Sequence, residues 1–167
     1  MNELIPFLKQ TEVFFQFTQS QLEMVANLCQ DKTINAGETI FEESSNSKEL
    51  YIIVQGEVDI LINPAIVSGK EKPEKVCIAT MRRGQSFGEI ALVDEGLRSA
   101  TARVRDKDAR LLVIPREKLI MLCETYPQVG YRLMFNLAAD LAMKMRNTDL
   151  RFREKVLYGQ QKNKNNV

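Results

Sequence analysis

Between residues 86 and 101 the sequence reads SFGEIALVDEGLRSAT. Gly88 with Glu89, and Arg98 with Ser99, stand in an apolar frame of Phe87, Ile90, Ala91, Leu92, Val93, Leu97 and Ala100. An acid and a base in such a frame are costly to bury without partners. Gly88 lets the backbone approach a ligand or adopt a positive φ. One helical turn over 89–93 would aim its free N–H groups at an anion, ideally a phosphate. Arg98 would add a forked, charge-assisted pair of hydrogen bonds to that anion, with the Ser99 hydroxyl and the following amides behind it. Glu89 repels an anion but accepts from hydroxyl donors such as those of a sugar. The segment therefore offers a phosphate half and a sugar half. The bland alternative is a surface turn, with Glu89 and Arg98 solvated or joined in an ion pair worth about 0–1 kcal/mol.

Other chemistry is sparse. The chain has 167 residues and no histidine, which removes the commonest general base and metal ligand. Cys29, Cys77 and Cys123 lie far apart without metal-ligand spacing, and read as small buried hydrophobes. No nucleophile–base pair or catalytic glycine-rich loop stands out. We expect no enzyme, no catalytic residue, no metal and no cofactor. With 44% hydrophobic and 27% charged residues the chain is a soluble globular type. A net charge of +1 gives no reason to expect nucleic acid or an acidic membrane as partner. No apolar run approaches the roughly 20 residues of a membrane span. The N-terminus lacks the basic and apolar regions of a signal peptide, so a cytoplasmic protein is expected.

The elements that must position these residues can be read from period and punctuation. Thr18 and Gln21 form a capping box ahead of Leu22, Val25, Ala26 and Cys29 at helical spacing. Residues 1–31 are an N-terminal helical segment in this reading. From Lys32 the pattern changes to short strands ended by turn residues: 39–42, 50–54, 58–62, 76–81, 100–104 and 110–114. A polar connection, 63–74, interrupts them. Such a series indicates an antiparallel jelly roll over 32–115. The fold class is α+β, with N-terminal helices and a long C-terminal helix. Pro115 ends the last strand, a helix follows over 116–124, and Tyr126-Pro127 breaks it. A long helix is expected from Gln128 to about Tyr158, completing a helical region over 116–158. Ala138, Leu141, Met145, Thr148 and Phe152 give it a 3-4-3-4 seam, facing either the core or a second copy. Residues 159–167 are read as a frayed polar tail.

Taken jointly, Phe87-Gly88-Glu89-Ile90-Ala91-Leu92, a gap, and Arg98-Ser99-Ala100-Thr101 resemble the phosphate-binding cassette of the cyclic-nucleotide-binding domain family. This is the module of the bacterial catabolite activator and of protein kinase A regulatory subunits. Residues 36–41 look like the family's first hairpin, 50–58 like its next strand pair, and 115–122 like the helix after its barrel. The resemblance covers roughly residues 5–155 and implies a jelly roll, or double-stranded β-helix. It implies that Glu89 accepts from a ribose 2′-hydroxyl and that Gly88 admits the ribose. Arg98 would pair with the cyclic phosphate, completed by the Ser99 hydroxyl and the Ala100 amide. Ile90 and Ala91 belong to the same ligand-binding stretch, and Leu92 to the packing beneath it. The loop 43–48 lacks the glycine common there, which is expected to affect loop shape only.

By the same resemblance the long helix is a lid over the base and a possible homodimer contact. Counting without gaps from Pro127 places Lys144 and Met145 where the catabolite activator reads adenine. Matching the end of the helix places Thr148 and Asp149 there, at the expense of about one extra turn of four residues. Both registers stand. Ser99 in place of threonine leans towards cAMP, with cGMP second. Only about ten residues follow Tyr158, too few for a DNA-binding helix-turn-helix. Met1 and the polar tail favour a complete small protein. The expected function is a cyclic-nucleotide sensor whose C-terminal helix signals to a protein partner. The alternatives are a ligand-free scaffold of the same fold, a sensor of cyclic di-GMP, and a hydrolase of the bound nucleotide.

Overall fold

The computed structural model describes residues 4–64, 74–93 and 96–164. Most of the connection at 63–74 and the last three residues of the tail lie outside that range. The N-terminal segment folds as α1 (Leu4–Leu8), a 3-10 turn (Glu12–Phe14) and α2 (Gln19–Ala26). The capping box forms: the Gln21 N–H donates to Thr18 Oγ1 at 3.3 Å, and the Thr18 N–H to Gln21 Oε1 at 2.9 Å.

Among the described residues eight strands follow: β1 (Gln30–Ile34), β2 (Thr39–Phe41), β3 (Glu49–Gln55), β4 (Val58–Ile62), β5 (Val76–Met81), β6 (Ser86–Phe87), β7 (Thr101–Val104) and β8 (Ala109–Pro115). They form two four-stranded sheets, in the orders β1-β8-β3-β6 and β2-β7-β4-β5. All pairings are antiparallel. This is the expected jelly-roll class with one correction at its start. β1 begins at Gln30, so the segment 1–31 is not helical to its end. The strand is polar and almost wholly exposed, so no alternation announces it. Pairing with β8 makes it a strand, helped by the Arg110–Asp31 ion pair at 2.6 Å.

β3 and β8 explain their own apolar runs. Leu50, Ile52, Leu112 and Ile114 point to a core shared with the N-terminal helices and with the helices that follow the barrel. Tyr51, Ile53, Leu111 and Val113 point to a second core inside the barrel, with Val58, Phe87 and Val104. Both faces of these strands are buried, so alternation gives way to continuous hydrophobicity.

Between β6 and β7 the described residues include one short helical turn, α3 (Ile90–Val93). After β8 come α4 (Arg116–Thr125) and α5 (Pro127–Lys164). The helix therefore runs past the expected stop at Tyr158, and most of the expected tail is helical. Residues 160–164 are glutamine, lysine and asparagine without proline, and glutamine and lysine are good helix formers. The first part of α5 is fixed to the body. Val129, Leu133 and Leu137 are buried, and Asn136 Nδ2 donates to Val13 O at 3.0 Å and Phe15 O at 2.9 Å. The expected seam divides. Leu141 is half-buried, Ala138 and Met145 face solvent, and Thr148 and Phe152 line a cavity under the helix. Among the described residues no helix is long and apolar enough to cross a membrane.

Candidate functional site

The stretch 86–101 is held at both ends by the barrel. Ser86 and Phe87 pair with Ile52 and Tyr51 of β3, and the Phe87 ring stacks on Tyr51 with centroids 5.1 Å apart. Gly88 follows at φ +81°, in the left-handed region. Its neighbours leave no room for a side chain: a Cβ there would lie 2.6 Å from Arg98 Nη1 and 2.9 Å from Glu49 O. Leu92, 2% exposed, plugs α3 into the core beneath. Sequence spacing thus places packing and chemistry on opposite sides of one turn.

Arg98 is buried although it is charged, its side chain only 2% exposed. Its backbone is clamped to the 42–48 loop: the Arg98 N–H donates to Ser45 O at 3.0 Å, and the Ser44 N–H to Arg98 O at 2.8 Å. Nε donates to Ser47 Oγ at 2.6 Å, Nη1 to Gly88 O at 3.0 Å and Nη2 to Glu49 O at 2.8 Å. Glu49 Oε2 adds a 3.6 Å ion pair, and the guanidinium lies 4.0 Å from the Phe41 ring centroid, a cation–π distance. These bonds engage three of the five N–H donors a guanidinium carries. Burial lowers the Arg98 pKa from its ordinary value, while Tyr51, Glu49 and Glu89 work in the opposite direction. Burial likewise pushes the Tyr51 hydroxyl up to about 12.

Glu89 is also buried, with its side chain 8% exposed. Lys144 of α5 reaches it: Nζ donates to Glu89 Oε1 at 2.8 Å and to Ser86 O at 3.0 Å, and lies 2.7 Å from Asp140 Oδ2. Burial alone would lower the lysine pKa, but Glu89 and Asp140 outweigh it and hold the ammonium above the usual lysine value.

A cavity of about 990 Å³ opens over these groups. Gly88, Glu89, Ile90, Arg98, Ser99 and Ala100 all line it. Of Ala91 only the backbone, in α3, is described. From α5, Lys144 and Thr148 line the cavity. Met145 and Asp149 are exposed on the outside of the helix and do not line it. The remaining wall is mainly apolar, with Ile60 and Ile62 of β4, Val76 and Ile78 of β5, Leu97 and Phe152. Its lining thus combines a buried guanidinium with the Ser99 and Ala100 segment and a buried carboxylate. Among the described residues no group of three or more His, Cys, Asp or Glu is placed to hold a metal.

Ser47, Glu49, Phe41 and Asp140 contribute to this site without any sequence motif marking them. The 43–48 loop does more than take a different shape, because its Ser47 bonds the buried arginine directly. The one available signal was indirect: a buried arginine and a buried glutamate each require partners.

Comparison with known proteins follows the same lines. The sequence profile described as the cyclic nucleotide-binding domain matches residues 31–126, more than half of the chain. The cyclic AMP receptor protein of Thermus thermophilus is 30% identical over 143 residues, covering 86% of this chain. This chain spans 61% of that relative's length. A cyclic nucleotide-binding domain from Methylobacillus flagellatus superposes with a TM-score of 0.77 at 19% identity, over 92% of this chain and 83% of the other. The regulatory domain of Toxoplasma gondii protein kinase A, crystallised with cAMP, gives a TM-score of 0.62 at 24% identity, over 72% and 43%. At such identities these two structures speak for the fold. With the profile match, the two-sheet barrel and the cassette on its cavity, the chain belongs to the cyclic nucleotide-binding domain family.

Proposed function

We propose that the protein is a cyclic-nucleotide sensor, with cAMP as its ligand, that binds without chemical conversion and signals through α5 to a protein partner. One observation carries this reading. Glu89 and Arg98, of opposite charge and both buried, line one cavity on either side of Gly88, a residue at positive φ that admits no side chain. A cyclic ribose phosphate presents a hydroxyl donor and an anion on one small ring, which matches that pair in charge and hydrogen-bonding type. Glu89 accepts from the 2′-hydroxyl, with Oε2 left for it while Oε1 serves Lys144. The guanidinium donors of Arg98 not engaged by Ser47, Gly88 and Glu49 serve the phosphate, with the Ser99 hydroxyl and Ala100 amide. The base lies against the apolar wall, where Thr148 offers a hydroxyl. Support also comes from the relatives, one named for cyclic AMP and one crystallised with it.

The output follows from where α5 touches the site. Lys144 bonds the cassette, and Arg151 Nη1 donates to Ile78 O at 2.9 Å. A ligand that favours one placement of this half of α5 shifts its population. Met145, Leu150, Phe152 and Leu157 are exposed there and offer a surface for a protein partner or a second copy. The experiment is a thermal-shift panel of cAMP, cGMP and cyclic di-GMP. At about a hundred times Kd a ligand adds about 2.7 kcal/mol to stability, or about 5–11 °C in Tm for a chain of this size. We expect that shift with cAMP. A shift with cGMP alone reassigns the base, and no shift with any of the three refutes the sensor.

A further inference from the structure

Lys144 is where α5 meets the cassette, and its ammonium is held there by two hydrogen bonds and two ion pairs. An ammonium carries three N–H donors and no acceptor. Three protein oxygens surround Nζ: Ser86 O at 3.0 Å, Glu89 Oε1 at 2.8 Å and Asp140 Oδ2 at 2.7 Å. The Glu89 and Asp140 side chains are 8% and 7% exposed. Asp140 Oδ2 is buried, makes no hydrogen bond among the described residues, and has this ammonium as its ion-pair partner. Two buried carboxylates therefore share one cation, and the cluster keeps one formal negative charge in excess. Asp140 also belongs to the part of α5 that is fixed to the body, one turn beyond Asn136 and its two bonds to the N-terminal segment.

A carboxylate that shares its cation keeps more uncompensated charge, and is a stronger hydrogen-bond acceptor, than one that holds the cation alone. We propose that Asp140 is a positioning residue for the ligand site. By pairing with the Lys144 ammonium at 2.7 Å it holds that charge off the ligand and leaves Glu89 incompletely neutralised, a strong acceptor for a ligand hydroxyl. Lys144 is then a support behind Glu89 and not a reader of the base. This assignment rests on the reading of Glu89 as the sugar acceptor, and extends it to what sets the strength of that contact.

Asp140→Asn keeps the size of the side chain and removes its charge, and two readouts follow. In the ligand-free protein, acylation of Lys144 by an amine reagent is followed by peptide mass spectrometry. Losing a carboxylate partner lowers the lysine pKa, and each unit lost raises the reactive amine fraction about tenfold. The variant should therefore label several times faster than wild type. With ligand, the affinity for cAMP is compared with that for 2′-deoxy-cAMP. Wild type should prefer cAMP, and the variant should lose about fivefold of that preference as the charge-assisted bond to Glu89 weakens towards an ordinary one. Faster labelling with a reduced preference supports the assignment. A folded variant with unchanged labelling or an unchanged preference overturns it. If wild type binds neither nucleotide, the ligand reading fails and labelling alone decides the role of Asp140. If Asp140→Asn does not fold, Asp140→Ser takes its place with the same readouts.

Discussion

Gly88→Ala tests the site where backbone and chemistry meet, and Gly84→Ala supplies its control. Both glycines are left-handed, at φ +81° and +83°. A Cβ at Gly84 meets nothing within 4 Å, whereas one at Gly88 lies 2.6 Å from Arg98 Nη1 and 2.9 Å from Glu49 O. Left-handed backbone costs a non-glycine residue roughly 1–2 kcal/mol. Overpacking adds about 1–3 kcal/mol, and here it strikes a carbonyl and a guanidinium that is already bonded on three sides. Gly84→Ala should therefore lose about 1–2 kcal/mol and Gly88→Ala about 2–5 kcal/mol. At about 2–4 °C per kcal/mol these become losses in Tm of about 2–8 °C and 4–20 °C. Calorimetric melting gives the stabilities, and titration with cAMP gives the affinities. Gly88→Ala must displace Arg98, so cAMP affinity should fall at least about tenfold, the loss of one charge-assisted bond. Gly84→Ala should bind as wild type does. Two variants that melt together, with Gly88→Ala binding normally, would refute the close approach of glycine and arginine.

Thiol labelling and alkaline titration give further checks. Cys77, expected to be a buried hydrophobe, is instead exposed and lines the cavity, while burial pushes the Cys29 thiol up to about 12 and also raises Cys123. Iodoacetamide should label Cys77 first, and saturating cAMP should slow it; equal labelling with and without cAMP would place the ligand elsewhere. Cys29 and Tyr51 are raised by burial from 9.0 and 10.0 to about 12, and Lys144 is raised as well. A raised pKa means the folded state binds its proton more tightly, so these contributions are complete below the ordinary values and lost as pH rises through the folded ones. The urea midpoint should hold to about pH 9 and then fall, and Cys29→Ala should delay the onset towards the tyrosine range. A midpoint unchanged to about pH 11 would contradict this.

The sequence was most informative where partners are near in the chain. Gly88, Glu89, Arg98 and Ser99 fall within one short stretch, so their types and order were enough to suggest a sugar and a phosphate. The apolar runs of β3 and β8 announced strands, although not that each serves two cores. Ser47 and Glu49 were not legible, because Arg98 meets them across 51 and 49 residues. The same holds for Lys144 on Glu89, 55 residues away. The lid was read in two registers, each a pair of adjacent residues. Neighbours on a helix point about 100° apart, whereas residues four apart share a face. The cavity accordingly receives one residue from each pair, Lys144 and Thr148, and leaves Met145 and Asp149 outside.

The most direct measurement is a calorimetric titration of cAMP into the wild-type protein and into Arg98→Ala. Wild type should bind saturably at one site per chain. Arg98→Ala removes charge-assisted bonds worth about 1.5–3 kcal/mol each, so its affinity should be at least about tenfold lower. No detectable binding to wild type at millimolar cAMP, or equal affinity in the two proteins, would contradict a phosphate site built on Arg98.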